Sequence, residues 1–171
     1  MKILITGGTG KLGKELVKVF SNSLHPTHRD LDITNRNAVF RYIQNNRPKA
    51  IIHCAALTGI RECENNKELA WRVNVEGTEN LVKACEKYRN DCYFVYISTA
   101  CVFYGDKGDY VETDIPYPKN LYSITKLLGE FVVKYSNLKK WLIIRTNFVP
   151  REKWPYTKAF VDRYGTYLFA D

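Results

Sequence analysis

A glycine-rich turn at residues 7–13 constrains the fold of this chain more than any other segment. It follows the apolar run Ile3-Leu4-Ile5 and has glycine at positions 7, 8, 10 and 13, which satisfies both G-x-x-G-x-x-G and G-x-G-x-x-G. A helical pattern of apolar residues begins at Leu12. Glycines between a strand and a helix let the backbone approach a pyrophosphate, which the helix N-terminus then stabilises. The segment predicts a dinucleotide-binding loop, with a purely structural glycine turn as the alternative.

Short apolar runs alternate with amphipathic helical patterns along the rest of the chain. Strands are predicted at 2–6, 50–54, 92–97 and 141–144, with a weak strand near 25–29. Helices are predicted after the glycine turn, after an N-cap at Thr34, over 62–88 and over 121–135. Apolar strands separated by helices form parallel sheets that are covered on both faces. We therefore predict a doubly wound, Rossmann-type α/β fold in three layers (α/β/α), with a parallel sheet of five or six strands.

The charge and the cysteine content restrict the kinds of ligand or partner that the chain is expected to bind. The net charge of +8 comes from dispersed lysines and arginines, and no nucleic-acid-binding motif is present. The five cysteines lack metal-ligand spacing, and His53 falls within a buried strand, so we predict no metal site and a structural role for His53. Without a signal peptide or an apolar run of about 20 residues, the chain is expected to be a cytoplasmic protein with no membrane or nucleic-acid partner.

Tyr122 and Lys126 stand four residues apart, on one face of the predicted helix at 121–135. A free tyrosine has a pKa near 10, and a cation a few Å away would stabilise the phenolate and lower that pKa. Such a phenol can protonate a carbonyl oxygen while a hydride reaches the carbonyl carbon. Together with the glycine turn, the pair predicts hydride chemistry with a nicotinamide cofactor.

Further segments accompany these two motifs between Met1 and about Arg151. They are ILITGGTGKLG at 3–13, DLDIT at 30–34, RPKAIIHCAALT at 47–58, NVEGTENL at 74–81, ISTACVF at 97–103, PKNLYSITKLLGE at 118–130 and IIRTNFV at 143–149. With these segments the chain resembles the extended short-chain dehydrogenases/reductases, and within them the dTDP-4-dehydrorhamnose reductase group. The resemblance implies an NAD(P)-binding domain at 1–150 and a nucleotide-sugar substrate.

The resemblance also assigns roles to single residues. Tyr122 matches the general acid, Lys126 the residue that tunes it and holds the nicotinamide ribose, and Thr99 the hydroxyl that binds the substrate carbonyl. The implied cofactor contacts, besides Tyr122 and Lys126, are Gly7, Thr9, Gly10, Lys11, Leu12, Gly13, Arg29, Asp32, Ile33, Ala55, Ala56 and Asn74. A purely structural hydrogen bond is the alternative for Asn74. Because His28-Arg29 could meet a 2′-phosphate, NADP(H) is favoured over NAD(H).

Three features depart from the reductase pattern. Residues 100–105 resemble nucleotide-sugar epimerases slightly more than the reductases. The acidic pair of metal-dependent reductases is only partly matched by Glu62 and Glu64, so bound Mg²⁺ is not predicted. Family members continue into a substrate domain, whereas here an aromatic tail at 151–171 follows the domain at 1–150. The expectation is a C-terminal substrate domain that is missing or much reduced.

The leading hypothesis is an NAD(P)H-dependent reductase of a nucleotide-linked 4-keto sugar, and a homo-oligomer is compatible with it. One alternative is an NAD-dependent nucleotide-sugar epimerase or dehydratase. The other is a non-catalytic, NADP(H)-binding regulatory subunit.

Overall fold

Four parallel strands form the central sheet of the computed structural model, which describes residues 1–106, 108–150 and 168–170. In sheet order they are β1 (Ile3–Thr6), β2 (Ala50–His53), β3 (Tyr93–Thr99) and β4 (Lys140–Thr146). A separate parallel pair consists of β5 (Phe148–Pro150) and β6 (Leu168–Ala170). Apart from β6, the predicted aromatic tail at 151–171 lies outside the described residues. All carboxyl ends of the central strands meet at one edge, where a doubly wound fold places its ligand.

Helices connect the strands. They are α1 (Lys11–Val19), α2 (Arg36–Asn46), α3 (Ile60–Asn65), α4 (Lys67–Trp71), α5 (Gly77–Tyr88) and α6 (Leu121–Lys134). The helix predicted at 62–88 is therefore divided into α3, α4 and α5, with a π-helical turn at Arg72–Glu76 between the last two. No helix in the described part of the chain is long and apolar enough to cross a membrane.

The predicted strand at 25–29 is wrong, because pairing beside β1 is limited to Leu24. The Leu24 backbone exchanges two hydrogen bonds of 2.8 Å with Ile3 and Ile5. Pro26 has no N–H for a ladder, and the Asp30 carboxylate accepts bonds from the Thr27 N–H and hydroxyl at 3.0 and 2.7 Å, which closes a turn. The central sheet accordingly has four strands plus one bridge among the described residues, and not five or six strands.

The N-cap of α2 is also displaced from its predicted place. Asn35, and not Thr34, accepts a hydrogen bond from the Ala38 N–H at 3.1 Å. The Thr34 hydroxyl instead donates to the Asp32 carboxylate at 2.8 Å. The cap therefore moves one residue because Thr34 already has a closer partner.

Apolar residues fill both faces of the sheet. The larger cluster packs Leu4, Ile51 and Phe94 against side chains of α2, α5 and α6, whereas a smaller cluster packs Ile3 and Ile5 against α1. Helices thus cover both faces, which confirms the three-layer, Rossmann-type α/β fold.

Candidate functional site at the carboxyl edge of the sheet

Two glycines fix the path of the loop between β1 and α1. Gly7 has φ of +72°, and a Cβ atom there would lie 2.6 Å from the Ala55 backbone nitrogen. A Cβ atom on Gly13 would overlap the Gly7 carbonyl oxygen. The loop therefore lies directly against the segment that follows β2. In a doubly wound fold the ligand cleft lies where the connections leave a strand toward opposite sides of the sheet, which here is between β1 and β2, with Leu24 on the far side of β1.

The N-terminus of α1 opens at this cleft. Its N-cap is Gly10, which provides no side-chain hydrogen bond, and the first turn carries no acidic residue. Thr9, Gly10 and Lys11 are exposed, whereas Leu12 is half-buried. Backbone N–H groups without a side-chain cap, beside an exposed lysine, fit an anionic group such as a pyrophosphate.

Ala55 and Ala56, which the resemblance predicted to contact the cofactor, follow shortly after the end of β2 at His53. Both are half-buried, and the Ala55 N–H donates to the Thr6 hydroxyl at 3.4 Å. The Ala55 backbone also lies against Gly7 of the glycine loop.

The predicted adenine-side residues have different surroundings. Asp32 accepts bonds from the Thr34 N–H and hydroxyl at 2.9 and 2.8 Å; burial raises the Asp32 pKa, but these bonds outweigh it and the pKa is lowered overall. Ile33 is buried in the core, whereas Arg29 is exposed. The side chains of Arg29 and, in part, of Asp32 are therefore open to solvent, whereas that of Ile33 is not.

Tyr122 lies in the first turn of α6, and hydrogen bonds hold this turn in place. Asn120 and Ser123 form a capping box, and the Leu121 N–H donates to the Glu64 carboxylate at 2.9 Å. Burial raises the pKa of Tyr122 to about 12, although a hydrogen bond with the Thr99 hydroxyl opposes this rise. The lowered pKa predicted from the sequence is therefore wrong for the protein by itself, and the phenol is protonated at neutral pH.

Lys126 is buried, with 3% of its surface exposed, one helical turn beyond Tyr122. Its Nζ donates to the Ile97 carbonyl oxygen at 2.7 Å and lies 4.1 Å from the centroid of the Tyr96 ring. Burial lowers the pKa of Lys126 to about 7, so the ammonium and the neutral amine are both populated near neutral pH.

Asn74 is buried within the π-helical turn and holds the loop after β2. Its side chain accepts from the Leu57 N–H at 2.8 Å and donates to the Leu57 carbonyl and the Thr125 hydroxyl, both at 3.0 Å. All of these partners are protein groups, which favours the structural alternative over direct cofactor binding for Asn74. A π-helical turn is a common way to direct one side chain into such a position.

Sequence reasoning did not single out Glu130 and Arg145. The Glu130 carboxylate is buried beside Ser98 and forms a two-pronged ion pair with Arg145, with contacts of 2.7 to 3.1 Å. The four-residue spacing from Lys126 to Glu130 was a visible signal, but the partner on β4 could not be read from local sequence.

A cavity of about 1030 Å³ includes Ala100 and Asn120 in its wall, which are sequence neighbours of Thr99 and Tyr122, but neither Thr99 nor Tyr122 lines it. It is lined in part by the loop that follows β3 and by the end of β4, including Cys101, Tyr104, Tyr110, Asn120, Arg145 and Asn147. In the described ranges, no group of three or more His, Cys, Asp or Glu residues could hold a metal ion.

Comparisons with known proteins place this geometry in a family. Methionine adenosyltransferase 2 subunit beta from Bos taurus is 37% identical over 148 residues, which are 80% of this chain and 44% of the relative. The dTDP-4-dehydrorhamnose reductase of Aggregatibacter actinomycetemcomitans is 35% identical over 153 residues, which are 86% of this chain and 51% of the relative. The crystal structure of dTDP-4-dehydrorhamnose reductase from Bacillus anthracis in complex with NADP superposes with a TM-score of 0.81 at 35% identity, and covers 89% of this chain and 55% of that one.

The family model matches a larger share of this chain than any of these proteins does. The chain spans about half the length of the relatives it matches. The sequence model of the family described as RmlD substrate binding domain matches residues 1–164. Because that match takes in nearly the whole sequence, the chain belongs to the RmlD substrate binding domain family.

Proposed function

We propose that this chain acts as an NAD(P)H-dependent reductase of a nucleotide-linked 4-keto sugar. The observation that carries the proposal is a protonated phenol, Tyr122, that lies beside the Thr99 hydroxyl at the sheet edge that also bears the glycine loop. A proton donor beside a dinucleotide cleft is what carbonyl reduction requires. The reductase relatives and the NADP-bound structure support the same reaction class.

The residues at the cleft fit a dinucleotide cofactor. The uncapped start of α1, with Gly10 and Lys11, would hold the pyrophosphate, and the close packing of Gly7 on Ala55 leaves backbone rather than side chains facing it. Arg29 would meet a 2′-phosphate, which favours NADP(H), with NAD(H) as the alternative. When bound, the cofactor would supply a hydride to the carbonyl carbon of the sugar.

Tyr122 would then protonate the oxygen that this addition leaves negative. Its raised pKa keeps the proton on the phenol until a strongly basic alkoxide develops beside it. The Thr99 hydroxyl, which lies beside the phenol, can donate to the same oxygen and orient the carbonyl. Lys126 would contribute through its ammonium form, which stabilises the phenolate after the proton has moved.

The cavity of about 1030 Å³ between the loop after β3, α6 and β4 begins at Ala100, one residue after Thr99, and is large enough for a sugar and part of its nucleotide. Its wall carries aromatic rings and a cation, since Lys119 Nζ lies 3.5 Å from the centroid of the Tyr104 ring. A polyanionic substrate also agrees with the net charge of +8.

The function can be tested by incubating the chain and NADPH, or NADH, with a panel of nucleotide-linked 4-keto sugars and following the loss of reduced nicotinamide absorbance. We expect consumption with at least one sugar, and faster consumption with NADPH than with NADH. Tyr122→Phe should abolish it, whereas Tyr135→Phe, at the exposed C-terminal end of the same helix, is the matched control. An equal rate in Tyr122→Phe would refute the assigned role.

A second candidate function is a non-catalytic, NADP(H)-binding regulatory subunit. It is favoured by the relative from Bos taurus, which is named as a subunit of a methionine adenosyltransferase. This function predicts that the chain binds NADPH, reduces no sugar and changes the rate of a methionine adenosyltransferase when added to it. Under this alternative, Tyr122→Phe would leave that change in rate intact.

A further inference from the structure

Consecutive residues at the end of β3 each lie against one residue of α6. The Ile97 carbonyl accepts from Lys126 Nζ at 2.7 Å, and the Ser98 hydroxyl donates to Glu130 at 2.5 Å. The next residue, Thr99, lies beside the Tyr122 phenol. The three α6 partners are spaced by four residues and therefore form one stripe along the helix. The contacts made by this stripe fix the position of α6 along the direction of β3.

Glu130 joins three elements at the end of this stripe. Its carboxylate is 2% exposed and is held by Ser98 on β3 and by Arg145 on β4, with a shortest Arg145–Glu130 contact of 2.7 Å. Ser98 and Arg145 are direct partners in the sheet register, and the guanidinium lies 4.9 Å from the centroid of the Phe103 ring. A buried carboxylate persists only when it is paired and hydrogen-bonded in this way.

Glu130 is also the anion that faces Lys126. The charged or titratable groups around the Lys126 amine are His53 on β2, Cys54 after β2, Tyr96 on β3, Glu130 on α6, and Arg145 on β4 behind Glu130. Burial holds the pKa of His53 at about 3 and raises that of Cys54 to about 12, so these two groups are uncharged at neutral pH. Burial also raises the pKa of Tyr96, which leaves its phenol neutral. The carboxylate of Glu130 is therefore the negative charge of this set.

We propose that Glu130, clamped by Ser98 and Arg145, is a positioning residue that aligns α6 on β3 and supplies the negative charge that favours the ammonium form of Lys126. The catalytic use of the Lys126 ammonium ion rests on the proposed function, whereas the effect of the Glu130 charge on the protonation of Lys126 does not. A carboxylate one helical turn away favours the protonated amine, and Arg145 offsets part of this effect because its positive charge lies on the far side of the same carboxylate.

The coupling can be measured by titrating the protein labelled with ¹³C at the lysine ε carbons, with the Lys126 signal assigned from its loss in Lys126→Arg. In Glu130→Gln the midpoint of the Lys126 titration should fall by about 1 pH unit, and in Arg145→Gln it should rise by a similar amount. Glu130→Asp keeps the charge and should keep the midpoint within about 0.3 pH unit. Cys54→Ser is the control, because it changes a neighbouring group that is uncharged. The midpoint of the Lys126 titration should not move in this variant.

A purely structural role for Glu130 would give a different pattern. If Glu130→Gln folds and its midpoint stays within about 0.3 pH unit of the wild-type value, the proposal is overturned. Equal shifts in Glu130→Asp and Glu130→Gln overturn it as well, and this comparison decides the matter even where Arg145→Gln does not fold. A failure of the proposed function would appear elsewhere, as absent sugar reduction while these midpoints still move in the expected directions.

Discussion

His53 should make the fold sensitive to mild acid. Its imidazole is buried, with Nδ1 at 2.6 Å from the Thr6 hydroxyl and Nε2 at 3.0 Å from the Thr78 hydroxyl. The Thr78 hydroxyl donates its proton to the Asn74 carbonyl at 2.7 Å, so it accepts from Nε2–H, and Nδ1 is left to accept from Thr6. Protonation of Nδ1 would break this arrangement and bury a charge near Lys126.

The size of the effect follows from the pKa of His53 in the two states. Burial, helped by the charge of Lys126, lowers that pKa from 6.5 to about 3. Between these values the unfolded chain binds a proton that the folded chain does not, so the free energy of unfolding decreases as the pH falls through the window. At about 1.4 kcal/mol per pH unit at the steepest, His53 should remove about 2 kcal/mol between about pH 6 and pH 4.5.

Urea denaturation at several pH values tests this reasoning when the wild type is compared with His53→Gln. The difference between their free energies of unfolding should fall by about 2 kcal/mol across that interval, whatever its value at neutral pH. The matched control is His25→Gln, because the His25 side chain is exposed and lies outside the contacts of His53 with Thr6 and Thr78, so this variant should retain the loss of about 2 kcal/mol. Parallel pH dependences for the wild type and His53→Gln would refute the assignment.

Other substitutions probe the site and its supports. Gly13→Ala should destabilise the fold by about 2 kcal/mol or more and weaken NADPH binding, because its Cβ overlaps the Gly7 carbonyl; denaturation and fluorescence titration measure both. Asn74→Ala should cost about 2–3 kcal/mol, since it leaves both backbone groups of Leu57 without their partner, whereas unchanged stability would contradict the assigned contacts. Arg145→Ala should cost about 3–5 kcal/mol in urea, and a cost below about 1 kcal/mol would contradict a buried ion pair with Glu130.

The sequence predicted most of the fold because its signals are local. The apolar runs of β1, β2 and β3 and the glycine turn each lie within a few residues, and they placed the central strands within about two residues of their positions. The strand predicted at 25–29 failed because Pro26 and the Asp30–Thr27 turn override a weak pattern. The division of the helix predicted at 62–88 depends on Asn74 reaching the distant Leu57, which no local pattern encodes.

The candidate site shows the same division between local and distant contacts. The spacing of Tyr122 and Lys126 on one helix face could be read from the sequence, and the structure places both residues next to the end of β3. The raised pKa of Tyr122 was not predictable, because it comes from burial by residues far away in sequence. Likewise, the pairing of Glu130 with Arg145 requires the β3–β4 register, which only the folded sheet provides.

The central claim is that Tyr122 gives its proton to a sugar carbonyl as a hydride arrives from the cofactor. The most direct measurement supplies NADPH that carries deuterium in the transferred position and follows the label into the sugar by mass spectrometry and NMR. The account predicts one deuterium at C4 of the reduced nucleotide sugar with the wild-type chain, and none with Tyr122→Phe while NADPH binding is retained. Deuterium at C4 in equal yield with Tyr122→Phe, or its absence from every sugar tested with a wild-type chain that binds NADPH, would contradict the account.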